Sequence, residues 1–509
     1  MGTQRDGWRG ALASLFVTNW ITLFGASMTT VSVLAIITFV LLAALNVLDA
    51  LYVGIVAFLI LPGFFIFGLV LIPIGAWWEH RRNGRRKEGE EVGPPFPVVD
   101  FNKPRVRHLA GVVLALTLIN VLILSTVSYK GVVYMESPEF CGQVCHTVME
   151  PEFTSYTASP HARVACVECH IGPGAPWFVR SKLSGLRQVL AVALHTYERP
   201  IPTPVANLRP SQDTCEHCHW PSRFAGDRMK VLSKFGEDEA NTPMKSVLLM
   251  HIGGGHGEGS GIHSWHIDPD KQTTYFTSDP TRQRIDVVRV TEKDGTVTEY
   301  AATDEDGKPI SPEGLTARRM DCLDCHNRPT HIFYMPPQAM DAALQTGTID
   351  GSLPYVKKIG VEALTEATGE AGDLEKIAEK VRAFYKKDYG DRYAELEKSI
   401  EQAIVGIQAA YKRNVFPEMD VTWGTYPNNI GHEPAHPSPG CFRCHDESHV
   451  SKDGQTIRQD CMLCHTLLAE EVENLDILTH LTLQPPAAEE APAEETPAPE
   501  AETASAPAQ

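Results

Sequence analysis

All twelve cysteines of this chain fall in pairs, and each pair is followed at once by a histidine. The pairs are Cys141-x-x-x-Cys145-His146, Cys166-x-x-Cys169-His170, Cys215-x-x-Cys218-His219, Cys322-x-x-Cys325-His326, Cys441-x-x-Cys444-His445 and Cys461-x-x-Cys464-His465. This is the attachment pattern of c-type haem, in which both thiols add to the haem vinyls and the adjoining histidine becomes an axial iron ligand. A disulfide framework gives no reason for a histidine after every second cysteine. Zinc sites built from two cysteine pairs per metal do not require one either. The reading is therefore six covalently bound c-type haems. Only the first motif is non-standard, with three residues between its cysteines.

Six large rigid cofactors dictate the fold class: mainly α with much irregular structure, the chain being packed around haems rather than around a continuous aliphatic core. The net charge of −18 argues against a nucleic-acid partner. Part of that charge lies in residues 485–509, which contain only Pro, Ala, Glu, Thr, Ser and Gln. They cannot form a core, and a disordered tail serving as a solvated spacer is expected.

Three apolar runs open the chain, at residues 23–48, 52–78 and 108–127. Each reaches the ~20 residues of a spanning helix without a charge in its middle, so three transmembrane helices are predicted. Asp49-Ala50-Leu51 joins the first two as a hairpin. Basic residues flank the pair and the third run: Arg81, Arg82, Arg85, Arg86 and Lys87, then Lys103, Arg105 and Arg107, with Arg5 and Arg9 near the start. The positive-inside rule puts these in the cytoplasm and everything after Lys130 outside the bacterial inner membrane. Outside is also where c-type haems are attached. A cleavable signal peptide is not expected, because the first run is too long and lacks a small-residue cleavage site. No histidine lies in the interior of any run, His80 and His108 sitting at the cytoplasmic ends, so b-type haems have no place there.

About a dozen residues at ~3.3 Å each separate the third run from Cys141, which holds the first haem close to the lipid. A donor dissolved in the membrane can reach it, and quinol is the obvious one.

The stretch Phe140-Cys141-Gly142-Gln143-Val144-Cys145-His146-Thr147-Val148-Met149, followed by Ser159-Pro160-His161 before the second motif, resembles the NapC/NirT family of membrane-anchored quinol dehydrogenases. The resemblance covers roughly residues 108–220. It implies that Met149 ligates the first haem iron, and a thioether ligand raises the haem potential. The extra residue in the motif and the spacing of Met149 depart from the commoner pattern, so His146 and Met149 both stand as ligand candidates. The resemblance also implies that Lys182, in Trp177-Phe178-Val179-Arg180-Ser181-Lys182-Leu183, binds quinol. A cation beside a quinone oxygen stabilises the anion formed on deprotonation. The nearby acid of the family has no clear match, and Glu139, Glu150 or Glu152 could accept the proton.

Low-spin haems need a second axial ligand each. Among many outer histidines, His161, His263, His266, His331, His432 and His449 are the candidates; His251, His256, His195, His436 and His480 are further ones. Glycines around 253–261 let the backbone pass close to a haem face near His263 and His266. His449 and His331 follow their own motifs too closely to bind the opposite face of the same iron. Each is expected to serve a neighbouring haem, for His449 the sixth. Residues 285–290 and 297–300 read as a hairpin through Lys293-Asp294-Gly295. Ile377, Val381, Phe384 and Tyr385, then Leu396, Ile400, Ile404, Ile407 and Tyr411, read as helices broken near Gly390 that pack against haems.

The predicted organisation is a membrane anchor with a basic cytoplasmic loop over 1–130, a trihaem region over 131–230, an insertion with haem 4 over 231–420, a dihaem unit over 421–484 and the tail. Anchor, trihaem start, insertion and dihaem end together resemble the inner-membrane multihaem cytochromes of metal-reducing bacteria. The implied activity takes electrons from menaquinol or ubiquinol to a periplasmic c-type cytochrome in anaerobic respiration. A tethered electron carrier without its own quinol site, and the reverse flow into quinone, are the alternatives.

Overall fold

The computed structural model describes residues 20–44, 60–83, 101–144, 146–172, 174–205, 208–220, 226–253, 261–432 and 438–473. The 49–51 hairpin, the basic loop from Gly84, Cys145, the side chain of His146, His256, His436, His480 and the 485–509 tail lie outside them.

Helix α1 (Trp20–Ala44) packs on α2 (Leu61–Asn83), and α3 (Pro104–Met135) follows. Gly25 and Gly68 set the α1–α2 approach. A Cβ on Gly25 would lie 2.8 Å from the Gly68 carbonyl oxygen, so only small residues let these backbones come so close. Among the described residues, two helices are long and apolar enough to cross a membrane, over Trp20–Thr38 and Leu118–Met135. This corrects the expectation of three. In α2 the apolar stretch is Leu61–Gly75, because the helix ends in Trp77, Trp78 and the polar Glu79-His80-Arg81-Arg82, while residues 52–59 of that run are not described. The third run also extends further than expected. Its helix continues to Met135, so four residues separate it from the π-helical turn Phe140–Val144 that carries Cys141.

The first three motifs sit on short elements. Beyond the π-turn come α4 (His146–Thr157), α5 (Cys166–His170) and α6 (Ala175–Ala193), then single 3-10 turns around Cys215. β1 (Arg228–Phe235) and β2 (Pro243–Met250) form a hairpin, and α7 (Gly261–His266) follows.

Next come β3 (Gln272–Thr277), β4 (Val287–Thr291), β5 (Val297–Ala301) and β6 (Thr316–Arg319). The expected hairpin is present as β4–β5, with Val288 opposite Tyr300 and Gly295 at φ +85° in the turn. It belongs to an antiparallel sheet of order β6-β3-β4-β5-β7, completed by β7 (Val450–Ser451), ahead of which lies α8 (Cys322–Cys325). The hairpin β1–β2 is joined by β8 (His465–Val472), which leaves the sixth motif directly as a strand.

Between the fourth and fifth motifs, α9 (Pro336–Gln345), α10 (Val356–Glu366), α11 (Asp373–Asp388) and α12 (Tyr393–Asn414) pack on one another. The break near Gly390 is a 3-10 turn. Met340, Val356, Leu364, Ile377, Val381, Tyr385, Ile400 and Ile407 are fully buried together. The residues expected to face haems therefore form an aliphatic core of their own. The period was readable, but it does not say which partner fills the space beside the stripe. Within this unit Lys357 is buried against Asp341, and its backbone N–H donates to Asn241 Oδ1 from the loop between β1 and β2, 2.9 Å away.

Candidate functional site

The motifs follow one another in space as they do in sequence. Cys166 hydrogen-bonds Cys141, which pulls its thiol down to about 7 against the opposing effect of burial. Burial pushes the Cys169 thiol up, and its nearest charges beyond its own motif are Cys215 and Cys218 of the third. Cys322 is likewise raised by burial, with Ser211 and then Cys215 beside it. Burial pushes Cys325 up to about 12, and Cys441 of the fifth motif is its first charged neighbour. Cys464 of the sixth is raised by burial and then by Cys441. The described thiols thus form one continuous series from the first motif to the sixth, and none is in a disulfide.

Two arginines fix this order. Arg209, buried before the third motif, donates to the Ile171 carbonyl behind the second at 3.1 Å and reaches Asp213 at 3.4 Å. Arg443, inside the fifth motif, donates to the Asp324 carbonyl inside the fourth at 2.5 Å and to the Gly440 carbonyl at 2.9 Å. Asp324 is itself buried, accepting from the Tyr275 hydroxyl at 2.7 Å and from Arg318 Nε at 2.8 Å. A charge-assisted clamp of this kind is strong where water is excluded.

Opposite four of the motif histidines stands a second imidazole. Ring centroids are 6.3 Å apart for His170 and His331, 6.0 Å for His219 and His161, 6.0 Å for His445 and His266, and 6.2 Å for His465 and His432. Metal–imidazole bonds of about 2 Å put two rings on one ion about 6 Å apart, so each pair has the separation of two axial ligands. The fourth motif makes a fifth pair. Burial lowers His263 to about 4, and the next cause is His326. Burial likewise lowers His170, His331, His266, His326 and His465, which keeps their imidazoles neutral and able to donate to a metal.

The second nitrogens of several of these rings are already committed. Nδ1 donates to the Glu152 carbonyl in His331 (2.9 Å), to the Pro329 carbonyl in His161 (3.2 Å), to the Ile262 carbonyl in His266 (2.6 Å) and to the Arg458 carbonyl in His445 (2.8 Å). That fixes the tautomer and leaves Nε2 for a ligand, as in most metal-binding histidines. The residues present therefore fit covalent haems with two histidine ligands at motifs two to six. Among the described residues, no group of three or more His, Cys, Asp or Glu is arranged to hold a bare metal ion.

His449 is not brought to a haem motif. It is 1% exposed, with Nδ1 on Asp446 at 2.8 Å and Nε2 donating to the Ile285 carbonyl at 3.1 Å. With both nitrogens engaged, it ties the fifth motif to the strand side. The place expected for it, opposite the sixth motif, is taken by His432, which also stacks on Phe442 of the fifth motif at 4.6 Å. His251 is occupied in the same way, by Asp227 and Thr466. His195 lies exposed at the end of α6, bonded to the Val192 carbonyl.

At the first motif, Met149 is half-buried on α4, one turn beyond His146. Gly142 sits where a Cβ would collide with the Phe153 ring, so the π-turn carrying Cys141 depends on that glycine. Lys182 on α6 pairs with Glu136, the residue capping α3, at 3.7 Å. Glu136 was not among the acids foreseen. Of those that were, Glu152 is instead committed to His331 and Arg328, with its carboxylate 3.1 Å from His331 Nδ1 and 3.4 Å from Arg328 Nη1. Contacts between α3 and α6 carry no sequence period, so the Glu136 pairing had no signal to find.

Residues 103–201 match the NapC/NirT cytochrome c family, N-terminal region. The chain is 43% identical over 466 residues to cytochrome c-type protein ImcH of Geobacter sulfurreducens, covering 90% of each chain. It is 32% identical over 94 residues to cytochrome c-type protein NrfH of Wolinella succinogenes, which is 18% of this chain and 52% of that one. No solved structure matches.

Proposed function

The chain belongs to the NapC/NirT cytochrome c family, whose members carry covalently bound c-type haem, and from that premise we propose a hexahaem quinol dehydrogenase of the bacterial inner membrane. In this reading electrons from menaquinol or ubiquinol reach a periplasmic c-type cytochrome through six haems, and the N-terminus faces the cytoplasm. Cys141 and Cys145 through Cys461 and Cys464 attach the haems. His170, His219, His326, His445 and His465 are proximal ligands, with His331, His161, His263, His266 and His432 opposite them. The first haem takes its ligand from His146 or Met149. When bound, the haems supply the one-electron relay.

The observation that carries the quinol reading is the ion pair of Lys182 and Glu136 where α3 leaves its apolar stretch. A lipid-soluble donor arriving there meets a cation to hold the oxygen that loses a proton and a carboxylate, 32% exposed, to take that proton. Glu136 replaces Glu139, Glu150 and Glu152 as the proposed acceptor. The proton then leaves on the outer side, towards which the haem-bearing residues extend. The sixth motif, last in the series, has Cys461 and Met462 exposed, which suits transfer to a soluble acceptor. Quinol-driven haem reduction tests the reading. If no quinol analogue reduces the protein while a protein donor does, it is a tethered carrier instead.

A further inference from the structure

Helix α6 is amphipathic the wrong way round for a helix on a protein surface. Leu183, Leu186, Leu190 and Leu194 recur at three- and four-residue intervals and so share a face. They are 66%, 61%, 54% and 70% exposed, and Val189 beside them is 53% exposed. The opposite face is the one that packs, through Val192 against the cluster of Val148, Phe333, Phe416, Met419, Val421 and Tyr426. An apolar stripe of this length facing water is costly, at ~25 cal/mol per Å² of apolar surface, and marks an interaction surface.

We infer that α6 lies in the outer surface of the lipid bilayer, its leucine stripe among the acyl chains, as a second membrane contact beside the spanning helices. Three observations select lipid over a protein partner. The helix is pinned at the depth where α3 emerges, since Lys182 reaches Glu136 at the end of the apolar stretch Leu118–Met135. Its charges are all positive in a chain of net −18: Arg180, Lys182 and Arg187 border the stripe, and α6 contains no acid. Cations there complement lipid phosphates. Trp177 opens the helix with the Arg180 guanidinium 5.2 Å from its ring centroid, an amphipathic pair of the type that collects at membrane interfaces.

The test uses the full-length haem-loaded protein in nanodiscs of phosphatidylethanolamine and phosphatidylglycerol carrying a diazirine in the acyl chain. After illumination, lipid adducts are mapped by mass spectrometry, with aqueous hydroxyl-radical oxidation measured in parallel. The inference requires adducts on residues 183–194 as well as on Leu118–Met135, and low radical oxidation of the leucines. The double variant Leu186→Glu, Leu190→Glu changes only exposed positions. It should lose the 183–194 adducts while keeping those on α3 and an unchanged haem spectrum. Adducts confined to the spanning helices with oxidised leucines in α6, crosslinks between α6 of two copies, or a variant that labels like the parent would each overturn the inference.

Discussion

His170 and His331 face each other at 6.3 Å although they belong to the second and fourth motif regions. Beyond its ring contact, His331 is held by the Glu152 carbonyl on α4. Replacing His331 by Ala therefore should convert one haem from low to high spin, read from the visible and paramagnetic resonance spectra, with haem content unchanged. His331→Met should raise the potential of that one haem, because a thioether replaces an imidazole. A spectrum unaltered by His331→Ala would remove His331 from the ligand set.

His449 provides the contrast. Both its nitrogens are bonded and it is fully buried, so His449→Ala leaves two partners unsatisfied and should cost about 1–3 kcal/mol of stability. Thermal unfolding should show the loss while every haem stays low spin. A high-spin signal would restore His449 as a ligand.

These two histidines show where the sequence stopped. Both stand close to their own motifs, which argues against a shared iron; the ring facing His170 is that of His331, and the ring facing His445 is that of His266. It could not choose between a neighbouring haem and a hydrogen-bonded core position. The choice depends on what the β3–β4 side places opposite, here the Ile285 carbonyl. The six cysteine–histidine motifs were legible because the covalent chemistry for which they are read fixes their spacing. Which distal histidine faces which motif depends on tertiary contacts such as Arg443 to the Asp324 carbonyl. The α11 and α12 stripes were legible as helices from their period, while the identity of their partner, one another rather than haem, was not.

The helical unit between the fourth and fifth motifs should respond to pH through Asp373. Burial alone would raise its carboxyl. The backbone N–H groups of Gly369 and Glu370, the Tyr411 hydroxyl and Lys376 outweigh burial and hold it below the ordinary aspartate range. A depressed folded value means that the stabilisation is complete above the unfolded value and is lost as pH falls through the folded one. Unfolding followed by far-ultraviolet circular dichroism should weaken below about pH 4 in the parent. Asp373→Asn should be less stable at pH 7 and flatter across that window. Equal slopes for the two proteins would refute the assignment.

The pair of Glu152 and Arg328 should matter structurally. Arg328 is 7% exposed at its side chain and lies 4.0 Å from the Tyr426 ring centroid. Glu152→Gln would leave a buried guanidinium without its carboxylate, at a cost of about 3–5 kcal/mol. The double variant Glu152→Gln, Arg328→Met should recover part of that loss in chemical denaturation. A single variant as stable as the parent would show the pair to be dispensable.

The most direct test of the central claim is stopped-flow reduction of the purified haem-loaded protein by a menaquinol analogue, followed at the c-haem absorption band, for the parent, Lys182→Ala and Glu136→Gln. The account predicts fast reduction of the parent and a loss of about 10²-fold in Lys182→Ala, the scale of removing one preorganised electrostatic group. Glu136→Gln, which keeps the shape of the side chain but cannot take a proton, should slow the reaction as well. Reduction of the parent by a protein donor but by no quinol, or rates untouched by both substitutions, would contradict it.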